Sequence, residues 1–97
     1  MNYNLYVSDI ADAQITEAFL YYESQQEGLG GRFLDCVELA ILEITRHPFT
    51  YQKKYNQFRT ALLKPFPYLI FFEVVAKNVV VYKVLHAQRN PRKYFKK

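Results

Sequence analysis

The chain has 97 residues, 51% of them hydrophobic and 18% aromatic, and its 13 Lys and Arg against 9 Asp and Glu give a formal charge of +4. That length predicts one domain, 1–97, burying roughly 60–65% of the surface its unfolded form exposes, and a single cysteine, Cys36, makes no internal disulfide. No apolar run reaches the roughly 18–20 residues of a membrane helix, and the N-terminus lacks a secretory pattern, so the expectation is an untargeted cytoplasmic protein with no membrane role.

Charge is divided along the chain. Through Pro48 there are eight acids and two bases, Arg32 and Arg46; from Phe49 onward there are eleven bases and one acid, Glu73. This asymmetry points to a polyanionic partner.

In chain order, Tyr3, Leu5 and Val7 alternate with Asn2, Asn4 and Tyr6, the period of a short first strand. Ser8 and Asp9 offer helix-capping side chains, and Ala11, Ile15, Ala18, Phe19 and Tyr22 then line one stripe of a helix. All three glycines lie in Gly28-Leu29-Gly30-Gly31. A phosphate-cradling loop would need a Lys and a Ser or Thr at fixed spacing, whereas Arg32-Phe33-Leu34 follow, so the segment reads as a turn between helices. Phe33, Val37, Ala40, Ile41 and Ile44 repeat the helical spacing, and His47-Pro48 closes the second helix, since a residue before proline leaves helical geometry.

Phe49 to Phe58 reads as a polar, aromatic connection. Three strand-like runs follow: Arg59 to Leu63, Tyr68 to Ala76 and Val79 to His86. Lys77-Asn78 between the last two reads as a tight hairpin in which Asn takes a positive φ. In the final run Val80, Tyr82, Val84 and His86 are expected on one face and Val79, Val81, Lys83 and Leu85 on the other. The order β-α-α-β-β-β predicts an α+β fold, a helical hairpin packed on one face of a mainly antiparallel four-stranded sheet. The other face is left open to solvent or a partner.

No metal or cofactor is expected. Cys36 sits mid-helix without a neighbouring His and reads as a small core residue, and His47 and His86 are isolated. The segment from His86 to Lys97 brings together an imidazole, the phenol of Tyr94 and the cations Arg89, Arg92, Lys93, Lys96 and Lys97, with no acid. Cleaving RNA through its 2′-hydroxyl needs a base, cations on the phosphorane and an acid at the leaving oxygen, and these side chains can supply all three without a metal. The same composition also suits a solvated basic tail that binds anions without chemistry.

Ala18-Phe19-Leu20-Tyr21-Tyr22-Glu23, the stretch Gly28 to Leu34 with Val37-Glu38, His47-Pro48, Lys64 to Val74, Val84-Leu85-His86 and Arg89-Asn90-Pro91 together resemble the RelE/ParE superfamily of bacterial toxins. The resemblance spans nearly the whole chain and implies the same strand, helix, helix, three-strand layout. It also implies the toxin of a type II toxin–antitoxin module, held in a hetero-oligomer by a cognate antitoxin. Two targets occur in the superfamily: RelE-like members cut messenger RNA on the ribosome with scattered basic residues and a late tyrosine, and ParE-like members inhibit DNA gyrase. The Gly-Leu-Gly turn, and Leu69 where RelE-like members often carry arginine, place this chain nearer ParE. If it is a nuclease, the resemblance makes Arg59, His86, Arg89 and Tyr94 the catalytic candidates. In either case Arg59, Lys64, Arg89, Arg92, Lys93, Lys96 and Lys97 are the candidates for contacting the target. A decayed toxin or a plain nucleic-acid-binding module is the third reading. The antitoxin is expected on an exposed apolar surface of sheet and hairpin together with the cationic edge.

Overall fold

The computed structural model describes residues 3–88. Strand β1 (Asn4–Val7) leads into helix α1 (Asp9–Gln25), helix α2 (Leu29–Arg46) and a 3₁₀ turn at Pro48–Thr50. Strands β2 (Lys53–Tyr55), β3 (Phe58–Leu63), β4 (Tyr68–Val75) and β5 (Asn78–His86) complete it. Among the described residues the sheet has five strands in the order β1-β5-β4-β3-β2, and of these only β1 is parallel to its neighbour, Asn4–Val7 running beside Asn78–Val81. Among the described residues no helix is long and apolar enough to cross a membrane.

The α+β class is as the periodicity indicates, and the strand count is one higher. The extra strand, β2, lies in the segment read as a connection. Lys53-Lys54-Tyr55 is too short and polar to show alternation, but Asn56 takes a φ of 58° and folds it back so that Lys53 pairs with Arg59 and Tyr55 with Phe58. In the β4–β5 hairpin the left-handed residue is Ala76, φ 55°, rather than Asn78, which already belongs to β5 and pairs with Val75.

Both helical stripes face the sheet as their spacing requires. Ala11, Ala18, Phe33, Val37 and Ile44 are buried against Ala61, Leu63, Ile70, Phe72, Val79, Val81 and Val84. Each large side chain among them contributes about 1.5–3 kcal/mol on full burial. Half-buried Cys36 packs against this core with its thiol free.

Alternation along β5 breaks once. Phe71 pairs with Lys83 and Phe72 with Val81, so Tyr82 is an inserted residue, a β-bulge. The core-facing set is therefore Val79, Val81 and Val84, which corrects the expected grouping of Val80 and Tyr82 with Val84. Nor is the opposite sheet face bare. Phe71 and Leu85 are buried outside the helix-side core, the Tyr55 ring lies 5.5 Å from Phe71, and Phe58 meets Tyr82 edge-on at 5.0 Å.

Only Gly28, φ 87°, forms the reversal between the helices; Gly30 and Gly31 lie inside α2, which starts at Leu29. Gly28 as N-cap offers no side-chain acceptor. Glu23, near the end of α1, takes that role: its two carboxylate oxygens accept from the Gly28 and Gly30 amides, both at 2.9 Å. A negative charge placed on otherwise unbonded donors at a helix N-terminus is stabilising by about 1 kcal/mol. Gly30 also marks where α2 crosses α1, since a Cβ there would stand 2.7 Å from both the Phe19 carbonyl oxygen and its ring.

Gly30→Ala is therefore expected to destabilise the protein by about 1–3 kcal/mol through overpacking against backbone that cannot retreat. Gly31→Ala, with nothing within 4 Å of the added carbon, is expected to stabilise by about 0.5–1 kcal/mol as an ordinary helix substitution. Paired urea unfolding curves decide the matter, and equal shifts for the two variants would contradict the crossing.

Candidate functional site

The sheet end where β3 stops, β4 starts and β5 stops gathers most of the candidate residues that can be placed. Leu63 pairs with Tyr68 and Tyr68 with His86, so Lys64, exposed just after β3, lies at the same end as His86. The intervening turn is held by two backbone bonds, Tyr68 N–H to the Phe66 carbonyl at 2.9 Å and Ala87 N–H to the Pro67 carbonyl at 2.7 Å.

Aromatic contacts fix this end. Tyr22 packs on Phe33 at 5.4 Å and on Phe66 at 4.8 Å; Phe33 in turn meets Phe66 and Tyr68 edge-on. The Tyr68 ring stands 5.3 Å from the His86 imidazole at 72°. His86 Nδ1 accepts from the Gln88 amide at 3.2 Å. Burial first, then the neighbouring Tyr68 and Tyr21, push the Tyr22 phenol above its usual value. Burial likewise raises Tyr51, with a further push from Glu43, and Tyr82, with a further push from Glu73. These phenols keep their protons at neutral pH.

Arg59 belongs to a different place. It pairs with Phe72 on β4, four residues from Tyr68, and β3 lies on the opposite side of β4 from β5. Strand geometry then separates Arg59 from His86 by roughly 16 Å. Ala61, Ile70 and Val84 fill the space between as core. Its Nη1 donates to the Tyr51 carbonyl at 2.6 Å, and its guanidinium carbon lies 5.0 Å over the Phe49 ring. Arg59 thus fastens the loop after α2 to the sheet with a backbone carbonyl and a ring. Arg89, Arg92, Lys93, Tyr94, Lys96 and Lys97 lie outside the described residues.

Beside His86 the structure places side chains that the sequence reading did not single out. A cleft of about 460 Å³ between α1 and the end of β5 is lined by Gln14, Glu17, Tyr21, Tyr22, Tyr68 and His86, among others. Gln14 builds its wall. Beyond Val81, β5 has no strand on the β1 side among the described residues, so its outward backbone groups need other partners. The Ser8 hydroxyl donates to the Tyr82 carbonyl at 2.7 Å, and Gln14 Oε1 accepts from the Val84 amide at 2.7 Å. The readable signal was a polar residue at position 14 on the stripe defined by Ala11 and Ala18.

A second, open apolar groove of about 790 Å³ is formed by Tyr3 and Leu5 with Leu39, Ile41 and Leu42 of α2, and the exposed Asp35 and Glu38 complete its edge. Leu39 is 67% exposed and Leu42 47%.

Comparison with known proteins places this geometry. The sequence profile of the family described as "ParE toxin of type II toxin-antitoxin system, parDE" matches residues 5–91. No curated protein matches the chain. A solved structure described as "Chromosomal ParDE TA system from P. aeruginosa" superposes with a TM-score of 0.77, covering 89% of this chain and 97% of that one at 13% identity. At that identity the likeness is one of fold.

Gln14→Leu is expected to cost about 1–2 kcal/mol, because it leaves the part-buried Val84 amide without an acceptor. Gln14→Glu keeps the oxygen and stays within about 0.5 kcal/mol of the parent. Thermal unfolding of the pair gives the answer, and equal losses would show that the bond does not hold the helix to the strand.

Proposed function

This chain belongs to the ParE toxin family of type II toxin–antitoxin systems, and we propose that it stops growth by binding DNA gyrase while a cognate antitoxin holds it inactive at rest. The family match over residues 5–91 carries this reading, gyrase inhibition being the usual action of ParE-like toxins. The separation of Arg59 from His86, and the bonds that already occupy Arg59, support a binding function over cleavage by a shared basic centre.

On this reading the cations after β5 are docking residues. Arg89, Arg92, Lys93, Lys96 and Lys97 follow the strand with no acid among them, and the exposed Lys64 adds to the charge at the end where the chain leaves His86. Such a cluster attracts a polyanion or an acidic protein surface, and its binding weakens as salt rises.

The antitoxin is assigned to the apolar groove along β1 and α2, where Leu5, Leu39 and Leu42 are exposed side by side. An amphipathic helix lays its apolar face into such a groove. Asp35 and Glu38 on the rim make it a poor seat for antitoxin acids, which belong instead at the lysines and arginines of the opposite half. Toxin and antitoxin then form a hetero-oligomer with no membrane component.

Added to gyrase and relaxed plasmid, the intact chain is expected to block supercoiling, and a chain ended after Gln88 is expected to lose that effect by at least about tenfold while keeping its fold, as circular dichroism would register. Full inhibition by the shortened chain would remove the basic segment from the mechanism. No inhibition by the intact chain would remove gyrase.

A further inference from the structure

The cleft between α1 and the end of β5 has the chemistry of a binding site that the gyrase reading does not use. Its aromatic walls meet at steep angles. Tyr21 and Tyr22 are 5.2 Å apart at 71°, Tyr22 and Tyr68 6.2 Å apart at 66°, and Tyr68 and His86 5.3 Å apart at 72°. Rings arranged this way do not stack into a slab. They turn successive edges and faces around a shared space, which at about 460 Å³ falls within the roughly 300–1,000 Å³ usual for ligand sites.

The acid–base character of the walls selects the ligand. Glu17 supplies a carboxylate on the lining. Tyr22 remains a neutral phenol because burial and its two tyrosine neighbours disfavour the phenolate. Gln14 has its carbonyl oxygen committed to Val84. Every charged residue of α1, namely Asp9, Asp12, Glu17 and Glu23, is acidic. Lys64 lies at this end of the sheet but not on the lining, where Glu17 is the charged side chain of α1, so a phosphate entering between the aromatic walls would meet a carboxylate and the walls do not make a base-stacking platform. A cation suits them: ring faces attract it, and a carboxylate at the wall adds a directed partner.

We propose that this cleft receives the guanidinium of an arginine side chain presented by a protein partner, with Tyr21, Tyr22 and Tyr68 around the cation and Glu17 as its carboxylate. Arginine fits better than lysine, since its planar, weakly hydrated head packs on aromatic faces while donating to an acid, and an ammonium gives up more hydration. Gln14 and Ser8 act as positioning residues, fixing α1 against β5 and so setting the width of the opening. The site is independent of gyrase inhibition, and loss of one leaves the other standing.

The test is an NMR titration of the full chain with N-acetyl-arginine amide, N-acetyl-lysine amide and the uncharged N-acetyl-citrulline amide. The arginine probe is expected to shift the ring signals of Tyr21, Tyr68 and His86 and to bind about tenfold more tightly than citrulline, with lysine between them. Glu17 is exposed, so Glu17→Gln is compatible with the fold; it is expected to weaken arginine about three- to tenfold and leave citrulline unchanged. Tyr21→Leu, at a ring 57% exposed, gives a second fold-preserving variant and is expected to weaken arginine more than citrulline. Equal binding of arginine and citrulline, or ring signals unmoved by arginine up to its solubility limit, would overturn the assignment.

Discussion

Parallel pairing of Asn4–Val7 with Asn78–Val81 ties the first strand to the last, across more than seventy residues of chain. With β1 fixed there, the chain must travel as two helices over one sheet face before the antiparallel strands begin. The same pairing is short. Past Val81 the outer edge of β5 would show bare backbone, and an unsatisfied part-buried amide or carbonyl is costly. Ser8 and Gln14 meet that requirement from the beginning of α1. A single shortage of strand thus explains the bulge-side bond at Tyr82, the anchoring of α1 by a polar side chain and the cleft that opens beside His86.

The helical hairpin answers a second constraint, that two helices joined by a tight turn must cross closely. Gly30 permits the approach to Phe19, Gly28 supplies the left-handed backbone, and Glu23 satisfies donors that Gly28 has no side chain to cap. Ala11 and Ala18 serve the same end on the sheet side, because fully buried alanines let α1 sit close to β5. The short, glycine-containing turn and the acid five residues before it form one device.

Both helices and the three long strands were legible because their apolar spacing is regular and their breaks carry Gly, Pro or Asn. Strand β2 was not, since three residues of Lys-Lys-Tyr show no period and only Asn56 hints at a reversal. The bulge was hidden for a different reason: Val79 to Tyr82 is apolar on both faces, so a shift of phase leaves the pattern unchanged. Of the site, His86 and Lys64 share one end of the sheet, as their places beside β4 require. Arg59 was credible by residue type, yet type says nothing of the Tyr51 carbonyl and Phe49 ring that hold it. The cleft was the least visible feature because its walls come from α1, β4 and β5, and its cue was the single polar residue Gln14 on an apolar stripe.

Membership of the ParE toxin family is what the sequence shows, and the proposal built on it, from the exposed leucines of α2 and the basic residues that follow β5 in the sequence, is of a protein that acts by contact. A genome-wide map of RNA 5′ ends, taken soon after induction in a bacterium lacking the antitoxin and with growth followed in parallel, tests that account most directly. Growth arrest without new ends in translated messages is the predicted result. New ends phased to codons would contradict it, and would make the chain a ribosome-dependent nuclease.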